Sequence, residues 1–484
     1  MLAAVVGFAT LAHAAEGGAH GGGHVDPFSL ILIQLAVVIV AATIGRWAAT
    51  AAGQPAVLGE LLIGVAIGNV GVALGAPLFV LVMQLGSAAP LFAEIWTTGL
   101  SIREAATSVF SPAELAPGGI GERLVQLLTG PRAAGLVVLA FSLWLFSNLG
   151  VILLLFMVGL ETTVSDMLKV GPRALVVAVV GIVAPFLLGY GASALLMREA
   201  PAAVHLFVGA TLCATSVGIT ARVFKDMGKL QTPEARVILG AAVIDDVLGL
   251  VILAIVVGIV VTGAVQLREV IRITALAAAF LGVVIVLGER LVKRMIPFAA
   301  ALDRHHVNLL FPLALCFVLS WLANRIELAT IVGAFAAGLI LNDEQFAEHG
   351  GAPGSLEEIV RPLEAIFAPI FFVLMGMQVN LASFLSLGTV GIALALIVAA
   401  VAGKAVSGLA AGPNADHLTV GVGMVPRGEV GLIFASIGKG LGVVDQGLFS
   451  AVVLMVIVTT LLAPLLLKWS LARAAAVAER SGRR

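Results

Sequence analysis

Charge is scarce in this chain: 11% of its residues are Asp, Glu, Lys or Arg, where soluble domains carry about 25%. Sixty per cent of its residues are hydrophobic, and its mean hydropathy is +1.13. No soluble domain of this length has that profile. Cysteine is nearly missing as well. Cys213 and Cys316 both lie in apolar runs, which excludes a disulfide framework and a Cys-x-x-Cys metal site. With a net charge of −1 there is no basic surface for nucleic acid. No nucleophile–base pair or phosphate-binding loop emerges, so an enzyme has little support. Tyr190, the one tyrosine, and the scattered tryptophans read as packing or interface anchors. Glycine, by contrast, is plentiful, as in closely packed membrane helices.

An apolar run of about 20 residues crosses a bilayer. The sequence predicts an all-α membrane protein with about thirteen spans. They lie near 29–49, 56–76, 140–161, 174–196, 203–221, 237–262, 271–288, 307–323, 328–342, 365–381, 387–409, 418–438 and 447–468. Residues 1–27 read as a signal-like segment ending in Ala12-His13-Ala14, followed by a flexible Gly-rich tail holding His20 and His24. The transmembrane region then occupies 28–470, with a polar insertion at 86–133 that has room for short surface helices. A short basic tail, 471–484, closes the chain. Lys and Arg concentrate on one side, in clusters such as Arg222, Lys225, Lys229, Arg236 and Arg290, Lys293, Arg294, Arg304. The positive-inside rule then places the N-terminus outside and the C-terminus in the cytoplasm, in the inner membrane.

The chain also repeats itself. Leu153-Leu-Leu-Phe-Met-Val-Gly-Leu-Glu-Thr-Thr163 matches Ile370-Phe-Phe-Val-Leu-Met-Gly-Met-Gln-Val-Asn380 at an offset of 217. The same offset brings Pro185 near Lys404 and Ser216 near Gly431. The charge count starts one four-span unit outside and the other inside, so the repeats are inverted, as in secondary transporters. Two spans are interrupted at matching places. One carries Ala214-Thr-Ser-Val-Gly-Ile-Thr220, the other Gly421-Val-Gly-Met-Val-Pro-Arg-Gly-Glu-Val-Gly431. Pro426 removes an N–H and Gly428 loosens the turn. Unwound backbone at this depth survives only buried in protein or lining water.

Asp245 and Asp246 stand mid-span in Ala241-Ala-Val-Ile-Asp-Asp-Val-Leu-Gly249. A carboxylate there costs about 3 kcal/mol on insertion scales and marks an ion or proton path. Adjacent residues point about 100° apart on a helix, so the two do different jobs. One can face a cation on a neighbouring helix, the other a water-filled cavity. Lys404, in Val401-Ala-Gly-Lys-Ala-Val-Ser-Gly408, is the obvious cation; snorkelling to the inner surface is its alternative. Carboxylate oxygens suit a hard monovalent cation such as Na+. Asp245 and Asp246, with Thr215 and Ser216, are therefore the candidate ion-binding and proton-coupling residues. Pro426, Arg427 and Glu429 are candidate structural or gating residues, as is Glu60, for which helix contact outweighs transport.

These motifs, with Leu155-Phe-Met-Val-Gly-Leu-Glu161 and Pro369-Ile-Phe-Phe-Val373, resemble the monovalent cation:proton antiporter-2 family, in its double-aspartate bacterial Na+/H+ form. The resemblance runs from Gln54 to the last span. It implies the Na+/H+ antiporter fold, a homodimer, no cofactor, and elevator-like alternating access that exchanges Na+, or Li+, for protons. In the family the second aspartate, here Asp246, binds the ion, and the first, here Asp245, pairs with the lysine, here Lys404. Family members with a C-terminal nucleotide-binding domain are glutathione-gated; this chain stops soon after Lys468. K+/H+ exchange on the same scaffold is the nearest rival, since the ligand type is the same. A gated cation channel would need a continuous pore with rings of carbonyls or charges, which paired mid-span breaks argue against.

Overall fold

The computed structural model describes residues 27–481, except 111, 113–114, 118, 131–132, 162–171, 217–219, 221–222, 225–226, 228, 230–231, 263–266, 305, 327, 329, 348–354 and 414. The signal-like segment and His20 and His24 lie outside the described residues. Those residues form helices and connecting turns, with no strand among them. In hydrocarbon a backbone must satisfy its own N–H and C=O groups, and a helix does so within one segment.

In chain order the helices are α1 (Pro27–Ala51), α2 (Ala56–Ala73), α3 (Pro77–Met83), α4 (Leu85–Thr98), α5 (Ile102–Val109), α6 (Ile120–Thr129), α7 (Ala133–Glu161), α8 (Pro172–Leu196), α9 (Ala202–Thr211) and α10 (Pro233–Thr262). Then come α11 (Leu267–Val283), a π-helical turn (Val284–Gly288), α12 (Glu289–Leu302), α13 (Val307–Arg325), α14 (Thr330–Leu339), α15 (Glu344–Ala347), α16 (Leu356–Met377), α17 (Leu387–Ser407), α18 (His417–Gly423), α19 (Glu429–Gly440) and α20 (Gln446–Ser481). Among the described residues, eight of these helices are long and apolar enough to cross a membrane. Each predicted span meets helix, and the fifth and twelfth are broken as expected.

The ends differ where helix continues past the apolar run. The tenth predicted span starts near 365, yet α16 starts at Leu356, its polar first turns joined by a Glu357–Arg361 ion pair. Likewise α20 runs on to Ser481 through the segment read as a separate tail. Hydropathy marks the part of a helix in lipid, not the whole helix.

The chain forms two compact units. One combines the residues up to Leu149 with Pro369–Gly391 and Ala435–Val453. In it, α1 and α2 meet at Gly45 and Gly59, where a Cβ on either would overlap the other's carbonyl. The insertion at 86–133 contributes α4, α5 and α6, which bury Leu91, Ala105, Ala106, Leu124, Val125 and Leu128. A capping box starts α5: the Ser101 amide and hydroxyl donate to Glu104 at 3.0 and 2.6 Å.

The other unit holds Gly150–Ala368, Ile392–Phe434 and the chain from Leu454. Its core includes Val177, Phe224, Ile238, Ala241, Val420, Met424 and Leu467. The sequence repeat reappears as packing. Gly159 and Gly376 occupy the same place in the two copies. Gly159 lies against the Phe335 carbonyl of α14 in this unit, and Gly376 against the Leu61 carbonyl of α2 in the first. A Cβ at either would overlap that carbonyl.

Candidate ion site

Asp245 lies midway along α10 and is fully buried. Lys404, in the last turn of α17, is fully buried too. Its ammonium donates to both carboxylate oxygens, at 3.0 Å to Oδ1 and 2.9 Å to Oδ2. Lys404 therefore does not snorkel. Its position depends on a close crossing of repeat-related helices: a Cβ on Gly403 would stand 2.5 Å from Cα of Pro185 in α8. With glycine there, α17 approaches α8 closely enough to bury the next residue, the lysine.

The two interrupted spans meet beside this pair. After α9 the chain leaves helix through Leu212–Ser216; after α18 it leaves helix through Met424–Gly428. The Ser216 amide donates to the Pro426 carbonyl at 2.9 Å. The Thr220 hydroxyl donates to the Gly423 carbonyl at 2.7 Å. Gly428 faces Ser216 so closely that a Cβ there would lie 2.7 Å from the Ser216 hydroxyl oxygen. Backbone groups freed by Pro426 thus find partners on the other broken span, which makes such unwinding tolerable in a membrane.

Thr215 connects crossing and ion pair. Its side chain bonds the Asp245 carboxylate and lies 3.4 Å from the Met424 carbonyl. One hydroxyl proton serves one acceptor at a time, so this contact can change partner without breaking a helix.

Arg427 is fully buried and reaches carbonyls only: those of Met424 and Val425 at 3.3 Å and of Ala400 at 3.4 Å, while its Nε has no partner. Its own carbonyl accepts the Thr460 hydroxyl of α20 at 2.6 Å. The guanidinium ties the broken span to α17, and the backbone carbonyl of Arg427 ties it to α20, a geometry suited to the structural role expected of the residue.

The backbone at Asp246 and at Glu429 is helical. Their side chains lie outside the described residues. Glu60 belongs to the other unit, where Arg46 holds it through Nε at 2.9 Å and a terminal nitrogen at 2.7 Å. Among the described residues, no group of three His, Cys, Asp or Glu side chains is gathered as a metal site.

Two clusters escaped sequence reasoning. Lys439 is buried in the last turn of α19. It donates to the Met83 carbonyl at 3.1 Å and to Gln378 Oε1 at 3.0 Å, and sits 4.4 Å from the centre of the Phe449 ring. The repeat offers a signal in hindsight: Gln378 stands where the first copy has Glu161. The second cluster is the N-cap of α18. Asp416 accepts the Thr419 amide at 2.9 Å and hydroxyl at 2.7 Å, and pairs with Arg473 at 2.7 Å. Its own amide donates to Glu234, at the start of the helix that carries Asp245. Burial alone would raise the Asp416 pKa, but the bonds from Thr419 and Arg473 outweigh it and hold the carboxyl below its ordinary value. Asp416-His-Leu-Thr419 before an apolar run has the residue types of a helix start.

Comparison with known proteins agrees with this geometry. The family model described as "Sodium/hydrogen exchanger, transmembrane" matches residues 105–473. The chain is 35% identical over 455 residues to the high-affinity Na+/H+ antiporter NhaS3 of Synechocystis, covering 90% of this chain and 88% of that protein. It is 34% identical over 361 residues to the Na+/H+-K+ antiporter GerN of Bacillus cereus, covering 73% of this chain and 90% of GerN. A solved structure of the sodium proton antiporter MjNhaP1 from Methanocaldococcus jannaschii shares the fold, with a TM-score of 0.57 over 92% of this chain and 98% of that one, at 15% identity. The chain is a multi-pass membrane protein of the sodium/hydrogen exchanger family, a family of transporters.

Proposed function

We propose that this protein exchanges a monovalent cation, Na+ and by extension Li+, for protons across the inner membrane. Asp246 binds the cation and releases a proton to do so. Asp245 and Lys404 couple to it: cation binding draws Asp245 from the lysine, which then gives up its own proton. Thr215, able to bond either Asp245 or the Met424 carbonyl, follows that movement, and Ser216 holds the crossing beside it. Two protons then pass for one cation, one net charge moves per cycle, and the exchange responds to voltage at about 2.3 kcal/mol per 100 mV. Arg427, Pro426 and Glu429 keep the broken helix in shape. The protein acts as a homodimer by elevator-like alternating access, with its N-terminus outside and its C-terminus in the cytoplasm.

The observation that carries this reading is a fully buried aspartate–lysine pair beside two crossed, unwound helices. A buried pair is weak evidence for stability, since replacing it with packed apolar residues is often neutral. Such a pair is better explained by what it can release. Proton flux driven by Na+ in proteoliposomes, with Asp246→Asn beside the wild type, is the test. Exchange by the wild type and none by the variant supports the assignment, and wild-type flux from the variant removes it. Na+ jumps on a solid-supported membrane test the stoichiometry: chemically measured exchange without a transient current means an electroneutral cycle.

K+/H+ exchange is the second reading. It is favoured by the similarity to a relative named for both Na+ and K+. Running the same assay with Na+, Li+ and K+ across pH separates the two.

A further inference from the structure

We infer that α12 is an interfacial helix that binds anionic phospholipid headgroups of the inner leaflet. The inference rests on the inward placement of this loop proposed above.

Length is the first argument. α11, the π-helical turn and α12 run continuously for 17, 5 and 14 residues, about 54 Å at 1.5 Å per residue. The hydrocarbon core is about 30 Å thick. Arg272 bounds the apolar stretch at one end and Glu289 at the other; that stretch covers about 24 Å, so all but about the first turn of α12 lies past the hydrocarbon.

The faces of α12 give the second argument. Val292 and Ile296 are buried, on a helix that packs on α13 and α15. On a neighbouring face Leu291, Met295, Phe298 and Leu302 are exposed at 56%, 41%, 69% and 74%. Their spacing of four, three and four residues makes one stripe. Past the hydrocarbon such a stripe would stand in water; lying along the interface, it enters the acyl boundary. Pro297 and the π-helical turn at Val284–Gly288 are the places where the run can bend to lie there.

Charge supplies the third argument and selects the lipid. Arg290 and Arg294, one turn apart and exposed, flank the apolar stripe. Among the described residues the ion pair on this helix is Lys293 with Glu289 at 2.6 Å, in which neither arginine takes part. A basic face bordering an apolar stripe fits lipid phosphates above and acyl chains below.

The test compares the full-length protein with Arg290→Gln/Arg294→Gln in nanodiscs of phosphatidylcholine mixed with phosphatidylglycerol. The readout is the phosphatidylglycerol retained on extraction. Each charge near an anionic surface is worth about fivefold, so the double variant should lose roughly twenty- to thirtyfold in relative retention, with its melting temperature in detergent unchanged. A spin label at Phe298→Cys reports depth, since Cys213 and Cys316 are buried. It should be relaxed more by oxygen than by a water-soluble nickel complex. Equal retention by wild type and variant, or a label as open to nickel as an aqueous loop, overturns the proposal. Neither readout uses exchange, so a failed transport assay leaves this test standing.

Discussion

Among the described residues, each of the two units buries one lysine, and the two are held in opposite ways. Lys404 meets a carboxylate through both of its oxygens. Lys439 meets a carbonyl, an amide oxygen and the face of a ring. Carbonyls and π-faces are fixed dipoles and quadrupoles that keep their sign whatever the proton count. A carboxylate can be neutralised by a proton or borrowed by another cation. Lys404 therefore sits in a contact that chemistry can open, and Lys439 in one that only movement can. The Lys439 ammonium also meets the carbonyl of Met83, the last residue of α3, so it stands at the negative end of that helix.

The sharpest way to break this comparison is to remove each amine. Lys404→Met strands Asp245 in a buried site, and losing one partner of such a pair costs about 3–5 kcal/mol. A large fall in melting temperature is expected, most of it recovered in Lys404→Met/Asp245→Asn. Additive effects of the two changes would mean that they do not interact.

Gly403→Ala asks whether the pair depends on the close approach of α17 to α8. The added methyl meets the backbone of Pro185, so overpacking costs about 1–3 kcal/mol, and Na+-driven proton flux falls as Lys404 is displaced. Wild-type flux at wild-type stability would show that the crossing does not position the lysine.

Lys439→Met removes two bonds worth about 0.5–1.5 kcal/mol each and at the same time the cost of burying a charge. The net change is expected to stay below about 1 kcal/mol, with exchange retained, and calorimetry in detergent can check it. A loss as large as that of Lys404→Met would erase the distinction between the two lysines.

Asp416→Asn should give the smallest effect. The lowered folded-state pKa of Asp416 means that its stabilisation is complete above the ordinary aspartate value of about 3.9 and fades as pH falls through the lower folded value. The wild type should lose melting temperature with acid over that window, and the variant should lose less. Parallel acid profiles would show that the cap contributes nothing.

Much of this was legible in the sequence because lipid leaves few options. Apolar runs became helices, and the Thr-Ser and Pro-Arg-Gly segments became the two breaks, since nothing else explains such residues in mid-span. Lys404 was found because a lysine inside a long apolar run needs a counter-charge, and Asp245 stands at the same depth. Lys439 was missed because its partners are carbonyls and a glutamine, none of which carries a sequence signal for ion pairing. The cluster at Asp416 was missed because Arg473 lies 57 residues further on, beyond any local pattern. The insertion at 86–133 was readable as polar, but the packing of α4, α5 and α6 on one another was not.

The distance along the chain between the paired charges has a consequence for biosynthesis. Asp245 is made 159 residues before Lys404. At about 5–20 residues per second, the helix carrying the acid waits roughly 8–30 s at the translocon before its counter-charge exists. During that interval the acid must stay protonated, keep to a watery lateral gate or lean on the insertion machinery. The nascent chain is then most exposed to quality control between the emergence of α10 and that of α17. A ribosome stalled inside that window should leave a product that is degraded faster than one stalled just after it.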